Sequence, residues 1–208
     1  MVADNCNDKT IEIAKNIKPN CIIINEKLCD PGLARQFGLK KSSKEFIAFL
    51  DADDEFCPNK LEQQYNHMIK NNLDWTSTNY VVLHEHNGFK YFVKPRNIIT
   101  YKLLLKNCDI GNSTVMIHRK LLPKYFPVRP KEDFKLWLSI LKNGNCCYGL
   151  NINGTKYYRS KNQNSNSYLN NYIEKIKVFK ELDFGAMYIT FLLVIDFLYQ
   201  IKRRITIK

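Results

Sequence analysis

Residues 45–54 read Glu-Phe-Ile-Ala-Phe-Leu-Asp-Ala-Asp-Asp. The mostly apolar run that ends at Leu50 predicts a short strand that is buried on both faces. A similar run spans residues 21–25, and residues 11–17 and 33–37 carry apolar side chains at helical spacing before and after it. Because strands and helices alternate in this way, the first part of the chain predicts an α/β fold with parallel strands.

The middle and later parts of the chain add two helices and a hairpin. Apolar side chains at helical spacing predict a helix over residues 58–70 and a second helix over residues 132–143. Between them, residues 80–83 and 89–93 flank Asn87-Gly88, a pair that suits a tight hairpin turn and therefore antiparallel strands. The whole pattern predicts a mixed, mostly parallel sheet flanked by helices.

Three carboxylates follow the strand that ends at Leu50. In a parallel sheet, Asp51, Asp53 and Asp54 would emerge at the carboxyl edge, where such folds bind ligands. Residues two apart in an extended segment point the same way, so Asp51 and Asp53 are expected to face one site. A hard divalent cation with a bound diphosphate would relieve the repulsion among these acids. The alternative is a solvated acidic turn that caps the helix after Pro58.

The sequence around these acids resembles the inverting family 2 glycosyltransferases, whose fold is the A-type nucleotide-diphospho-sugar transferase fold. The closest match is residues 49–54, Phe-Leu-Asp-Ala-Asp-Asp, to the family's metal motif. Residues 34–39 match an Ala-Arg-Asn-x-Gly-Leu segment, with Gln36 in place of Asn. Residues 2–10 match a segment that begins Val-Asp-Asp, with Ala3 in place of the first Asp. The resemblance extends to about residue 167.

The resemblance assigns roles at the donor end of the site. It implies that Asp4 helps to hold the nucleotide base and that Arg35 binds the nucleotide sugar. Asp53 would ligate Mn²⁺ or Mg²⁺ between the two phosphates, and Asp51 would contact the ribose or a water of the metal. Residues 157–159 and 165–167 resemble a family segment that closes over the diphosphate, in which Arg159 would contact phosphate, although an arginine in a basic tail can equally face solvent.

A second motif supplies candidates for the catalytic base. Residues 132–138, Glu-Asp-Phe-Lys-Leu-Trp-Leu, resemble the family motif that carries it, and we assign the role to Asp133, with Glu132 as the other candidate. The helix N-terminus favours an ionised acid while burial opposes it, and the sequence leaves that balance open. Without the Leu-Trp context, the two acids would be ordinary helix N-terminal charges. Residues 112–117 resemble a family strand beside the acceptor site, or form an ordinary core strand.

The resemblance also suggests how the chain is divided. Residues 1–167 are predicted to form the catalytic domain, N-terminally incomplete because the family's usual first strand and helix precede the position that matches Met1. Residues 168–208 are predicted to form a helical, basic C-terminal extension. Its apolar stretch, residues 187–201, is shorter than a bilayer requires, contains Asp196 and is followed by basic residues 202–204. Such a helix either lies on an anionic membrane surface or packs against the domain.

Composition narrows the partners and the compartment. The net charge of +12 suggests a polyanionic partner, but no aromatic and basic motif of the common nucleic-acid modules accompanies it. Seven cysteines without a Cys-x-x-Cys pair or a signal peptide favour reduced thiols in the cytoplasm. If the apolar and basic C-terminal stretch lies on a membrane, the chain would be peripheral at its inner face.

Two functions remain from the sequence alone. The first is a metal-dependent transferase that moves a sugar from a nucleoside-diphosphate sugar, UDP-linked in our prediction. Its acceptor would be a hydroxyl of a glycan or a lipid-linked molecule in surface polysaccharide assembly. The alternative is a catalytically inactive remnant that binds nucleotide sugars or glycans, suggested by Ala3 and by the missing first strand.

Overall fold

The computed structural model describes residues 1–17, 24–85, 88–159 and 168–205. The strands are β1 (Val2–Asp4), β2 (Ile24–Glu26), β3 (Phe46–Ala48), β4 (Asp54–Phe56), β5 (Trp75–His84), β6 (Lys90–Val93), β7 (Ile98–Ile99), β8 (Val115–His118) and β9 (Cys147–Arg159). The helices are α1 (Thr10–Ile17), α2 (Pro31–Lys41), α3 (Lys60–Asn71), α4 (Tyr101–Lys106), α5 (Glu132–Lys142), α6 (Tyr168–Glu181) and α7 (Ala186–Ile205).

The described strands form two sheets. β1 and β2 pair in parallel. The larger sheet has the order β3-β8-β5-β9-β4, with β6 added on β5 and β7 added on β9. The prediction of a mixed sheet flanked by helices is confirmed.

The direction of the strands differs from the prediction. Among the described residues, β1–β2 and β5–β9 are the parallel pairs, whereas the pairs β3–β8, β4–β9, β5–β6, β5–β8 and β7–β9 are antiparallel. The part of the prediction that made the sheet mostly parallel is therefore corrected. An apolar run reports that a strand is buried but carries no information about the direction of its neighbour.

The predicted elements lie close to their observed counterparts. The two predicted helices correspond to α3 and α5, and the predicted hairpin corresponds to β5 and β6, which pair antiparallel. Gly88 adopts the positive φ of 65° that the turn requires, while Asn87 lies outside the described residues. The predicted strand at residues 21–25 is described only from Ile24 onward.

The hydrophobic core lies between the larger sheet and helices α4 to α7. Trp137 of α5 packs against Trp75 of β5 and Phe49, with ring centroids 5.3 and 6.0 Å apart. Helices α6 and α7 contribute four side chains to this core: Val178, Phe179, Ile189 and Leu192. The boundary after residue 167 stays a prediction. No helix within the described ranges is long and apolar enough to cross a membrane.

Helix α3 buries two polar side chains beside Met68 and leaves most of its apolar stripe exposed. Lys60 and Gln64 are 1% and 0% exposed, whereas Leu61 and Ile69 are largely exposed. Gln64 is accommodated because its amide donates hydrogen bonds to Thr76 Oγ1 and to the Thr114 carbonyl. The Lys60 ammonium lies 4.1 Å from the centroid of the Phe56 ring. Its Nζ has no hydrogen-bond partner within the described residues.

Burial lowers the pKa of Lys60 from 10.5 to about 7. Between these values the unfolded chain holds the proton and the folded chain does not, so stability rises with pH across that window. We expect Lys60→Met to stabilise the fold by about 1–3 kcal/mol near pH 7 and below, because it removes an unsatisfied buried donor. The gain should shrink towards pH 10.5, where the lysine is uncharged in both states.

Denaturant unfolding of wild type and of Lys60→Met, at about pH 6 and about pH 9, measures the difference in their stability. Lys70→Met is the matched control because Lys70 lies in the same helix and is exposed. An equal effect of the two substitutions, or a gain that grows with pH, would contradict the burial argument.

Candidate active site

A short 3-10 turn at Asn112–Thr114 holds the acidic cluster in place. The Asp51 backbone N–H donates to Ser113 Oγ at 3.0 Å, and the Ser113 hydroxyl donates to Asp54 Oδ2 at 2.5 Å. Asn112 Nδ2 donates to Asp51 Oδ1 at 2.7 Å. The carboxylates of Asp51 and Asp54 are therefore fixed by residues about sixty positions later in the chain.

Two residues of strand β9 hydrogen-bond this turn. The Ser113 backbone N–H donates to the Tyr157 hydroxyl at 2.9 Å, and Thr155 Oγ1 donates to the Ser113 carbonyl at 2.8 Å. A Cβ at Gly111 would lie 2.4 Å from the Tyr157 hydroxyl oxygen, so any other residue there would displace Tyr157. The sequence did not assign this supporting role to Ser113, Tyr157 or Thr155, because neutral polar residues carry no local signal of a site. Ser113 and Tyr157 do fall in segments that resemble the family, residues 112–117 and 157–159, but neither resemblance implied that they support the acidic cluster.

The acidic cluster is electrostatically strained. The pKa of Asp54 is raised to about 7, because burial and, after it, the charges of Asp51 and Asp53 outweigh the lowering effect of the Ser113 hydrogen bond. Asp53 itself is exposed. The described residues contain no group of three His, Cys, Asp or Glu side chains arranged to hold a metal ion. Adjacent hard oxygen donors still suit Mg²⁺, which binds through one or two carboxylates together with substrate phosphates.

Arg35 links the acidic cluster to the start of α5. Its guanidinium lies 2.8 Å from Asp51 Oδ1 and 2.9 Å from Glu132 Oε1. Burial alone would lower the pKa of Arg35, but the charge and hydrogen bond of Asp51 and the hydrogen bond of Glu132 outweigh it, so the pKa is raised. Arg35 is thus fully charged and is held by two carboxylates from distant segments.

Arg35 is positioned by the way in which helix α2 begins. Pro31 begins the helix, and the Asp30 carboxylate caps it by accepting hydrogen bonds from the N–H groups of Gly32 and Leu33. Asp30 also accepts from the Arg129 N–H at 2.9 Å, which ties α2 to the loop before α5. Gln36 adds a second tie, because its amide bonds the Lys124 carbonyl and the Phe126 N–H. Gln36, which stands where the family motif has Asn, therefore has two defined partners.

Asp133 lies in the first turn of α5. Its Oδ1 accepts a hydrogen bond from the Phe134 N–H at 2.7 Å. Burial raises the pKa of Asp133, the neighbouring Glu132 charge raises it further, and the Arg35 charge opposes both. The balance that the sequence left open is therefore decided by burial, and the helix N-terminus does not overcome it.

One cavity of about 290 Å³ brings three of the predicted site residues together. Asp51, Asp133 and Arg159 all line it. The charge of Arg159 lowers the pKa of Asp54, which places this arginine beside the acidic cluster. Helices α6 and α7 form another wall of the cavity, through the side chains of Asn171, Tyr172, Lys175, Asp196 and Gln200. No sequence signal identified these last residues.

Asp4 is not among the residues that line the cavity. It lies at the end of β1, and its Oδ1 accepts hydrogen bonds from the backbone N–H groups of Leu28 and Cys29 at 2.6 and 3.1 Å. The observed contacts of Asp4 thus order the loop that precedes α2. Residues 165–167, which were predicted to close over the diphosphate, lie outside the described residues.

Comparison with known proteins identifies the family. The model of the family described as "Glycosyl transferase family 2" matches residues 1–126. The chain belongs to glycosyltransferase family 2. This family membership agrees with the matched motifs at residues 49–54 and 34–39.

Two curated relatives come from Escherichia coli. WfgD, a UDP-Glc:alpha-D-GlcNAc-diphosphoundecaprenol beta-1,3-glucosyltransferase, is 44% identical over 145 residues, which are 69% of this chain and 56% of WfgD. WfaP carries the same description and is 34% identical over 159 residues, which are 75% of this chain and 62% of WfaP. The chain thus spans less than two thirds of the length of these two relatives.

A solved structure confirms the fold. The crystal structure of S. aureus TarS 1–349 in complex with UDP-GlcNAc matches with a TM-score of 0.64 and 18% sequence identity. The match covers 80% of this chain and 51% of the TarS chain. At this identity the likeness concerns the fold alone, and it agrees with the predicted A-type glycosyltransferase fold.

Proposed function

We propose that this chain forms part of an inverting glycosyltransferase that moves a sugar from a UDP-sugar to a hydroxyl of a lipid-linked acceptor in surface polysaccharide assembly. The observation that carries the proposal is the single cavity lined by both Asp51 and Asp133, with Arg35 ion-paired to Asp51 and to the neighbouring Glu132. This arrangement supports the proposal because the carboxylate that would bind the donor and the candidate base line the same cavity. The descriptions of WfgD and WfaP support a UDP-sugar donor and a diphosphoundecaprenol-linked acceptor.

The donor is proposed to bind at the acidic cluster. Asp53 would hold Mn²⁺ or Mg²⁺, with Asp51 directed to the ribose or to a metal-bound water. The bound cation supplies positive charge that stabilises the departing diphosphate. Arg159, which lines the same cavity, is suited to contact phosphate. Asp4 is proposed to contact the nucleotide base, and its hydrogen bonds to the loop at Leu28 would help to shape that pocket.

The acceptor is proposed to react beside Asp133. Inversion requires a carboxylate on the face of the sugar opposite the diphosphate, where it removes the proton of the attacking hydroxyl. A raised pKa suits this role, because a general base works best when its pKa is close to the working pH. Glu132 is engaged by Arg35, so it is better placed to position the turn than to accept the proton.

A transfer assay tests the proposed function. The purified chain is mixed with Mn²⁺, a UDP-hexose and a synthetic GlcNAc-diphospho-alkyl acceptor, and both UDP release and the extended acceptor are measured. We expect UDP release that depends on the acceptor. Binding of UDP without any transfer, across a panel of UDP-sugars, would support the non-catalytic alternative instead.

Helix α7 supports a membrane-bound acceptor. Its exposed face carries apolar side chains at helical spacing, namely Met187, Phe191, Val194, Leu198 and Ile201. The opposite face is buried through Ile189, Leu192 and Asp196. Both sequence alternatives for this segment are therefore compatible with one helix, which packs on the domain and leaves an apolar stripe for an anionic membrane surface. The side chains of basic residues 202–204 lie outside the described residues.

We expect Phe191→Glu with Leu198→Glu to reduce co-sedimentation with anionic vesicles, because the change removes apolar contact and adds negative charge. Substitution is the appropriate test, since deleting α7 would remove core residues Ile189 and Leu192. Ile69→Glu with Leu61→Glu is the matched control: it makes the same charge change at exposed positions of α3. Equal vesicle binding by the two variants would refute a membrane role for α7.

A further inference from the structure

The cavity that contains Asp133 has a wall built by α6 and α7. Lys175 of α6 and Asp196 of α7 both line it, together with Tyr172 and Gln200. The charges of Asp133 and Lys175 both act on the Cys108 thiol, another lining residue, and shift its pKa in opposite directions. Lys175 and Asp133 therefore lie on the same part of the cavity.

Lys175 and Asp196 form a buried ion pair. Lys175 Nζ lies 2.7 Å from Asp196 Oδ1, and the two side chains are 13% and 4% exposed. The contact lacks hydrogen-bond geometry, and Asp196 Oδ1 has no hydrogen bond within the described part of the chain. A buried pair of this kind is weak evidence for stability, because an apolar pair of similar volume is often as stable. The pair also retains hydrogen-bonding capacity at the edge of a cavity.

Helix α6 is held firmly against the helix that carries Asp133. Lys131, just before α5, hydrogen-bonds Asn171 and lies 3.8 Å from Glu174. Further along, Lys135 pairs with Glu181 at 3.1 Å. These contacts fix the position of Lys175 relative to Asp133.

We propose that Lys175 and Asp196 form the subsite that recognises the acceptor sugar. Asp196 accepts a hydrogen bond from, and Lys175 donates one to, hydroxyls of the acceptor sugar other than the one that Asp133 deprotonates. This inference rests on the proposed function and adds the residues that select the acceptor. A site built to hydrogen-bond a hydroxyl discriminates strongly against an analogue that lacks it, because the site's polar groups are then left unpaired.

The experiment compares wild type with the double variant Lys175→Met, Asp196→Leu. Calorimetry measures the affinity of the GlcNAc-diphospho-alkyl acceptor in the presence of UDP and Mn²⁺, and of analogues that lack the 4- or the 6-hydroxyl. We expect the variant to keep its melting temperature and its UDP affinity. Its acceptor affinity should fall about 10- to 100-fold, the effect of hydrogen bonds to charged groups. The affinity of wild type for one of the deoxy analogues should be lower than for the full acceptor by a similar factor. The variant should bind that analogue and the full acceptor with equal affinity.

The control variant is Lys135→Met, Glu181→Leu, which replaces an ion pair between α5 and α6 that does not line the cavity. If the apolar cavity pair prevents folding, Lys175→Gln with Asp196→Asn keeps the shape and removes the charges. Unchanged acceptor affinity and unchanged discrimination in a folded cavity variant would overturn the subsite. Acceptor binding without transfer by wild type would remove the proposed function but leave the subsite intact. The absence of acceptor binding to wild type would remove both.

Discussion

Asp53→Ala is expected to abolish the metal-dependent part of UDP binding. Asp53 is exposed beside two other carboxylates, and its charge contributes to the raised pKa of Asp54. If Asp53 holds a divalent cation for the diphosphate, removal of its carboxylate should weaken UDP binding by more than the roughly 10- to 100-fold that an outer-shell partner contributes at metal sites. Calorimetric titration of UDP with Mn²⁺, and again with a chelator, measures the effect.

Glu55→Ala is the matched control for this prediction. Glu55 is an exposed acid two residues further along, so the substitution removes the same charge from the same segment. Its carboxylate is directed to β9, where it accepts hydrogen bonds from Lys156 and Tyr158. UDP affinity should therefore be unchanged in Glu55→Ala. Equal UDP affinity of wild type with and without the chelator would exclude the metal role, whatever the variants show.

Local sequence patterns predicted the parts of the site that depend on local structure. A buried strand followed by acids predicted where Asp51, Asp53 and Asp54 leave the sheet, because burial of a strand is visible in its composition. The supports of that cluster were not predictable. Ser113 and Tyr157 reach it across distant strands, and neutral hydroxyls in a strand are equally common in ordinary cores.

Helix α3 shows why a face is harder to predict than an element. The helix itself was predicted from its apolar spacing, yet two of the three side chains that it buries are the polar Lys60 and Gln64. Gln64 is satisfied by Thr76 and Thr114, partners from β5 and from the turn before β8 that no local pattern reveals. The contribution of α6 and α7 to the cavity was missed for the same reason. The composition of residues 168–208 reports charge and apolarity, but it does not show which face of α7 packs against the domain.

Asp133→Asn should leave donor binding intact and reduce turnover by about two to four orders of magnitude, the usual contribution of general base catalysis. Asparagine keeps the shape of the side chain and can still accept the Phe134 N–H, but it lacks a basic lone pair. Steady-state transfer to the GlcNAc-diphospho-alkyl acceptor measures turnover, and calorimetry with UDP and Mn²⁺ measures donor binding. The pH profile adds a second measure. Because the base must be deprotonated and burial raises its pKa above 3.8, the rate of wild type should begin to fall with decreasing pH before pH 3.8 is reached.

Glu132→Gln separates the base from its neighbour. Glu132 pairs with Arg35 and raises the pKa of Asp133, so its neutral analogue should loosen the turn and shift the acid limb of the pH profile to lower pH. Turnover of Glu132→Gln should remain well above that of Asp133→Asn, because the proton acceptor is still present. If Asp133→Asn instead transfers at a near-normal rate while Glu132→Gln does not, Glu132 is the base and the assignment to Asp133 is wrong. If both variants transfer normally, the proton is taken by a group outside the turn at the start of α5.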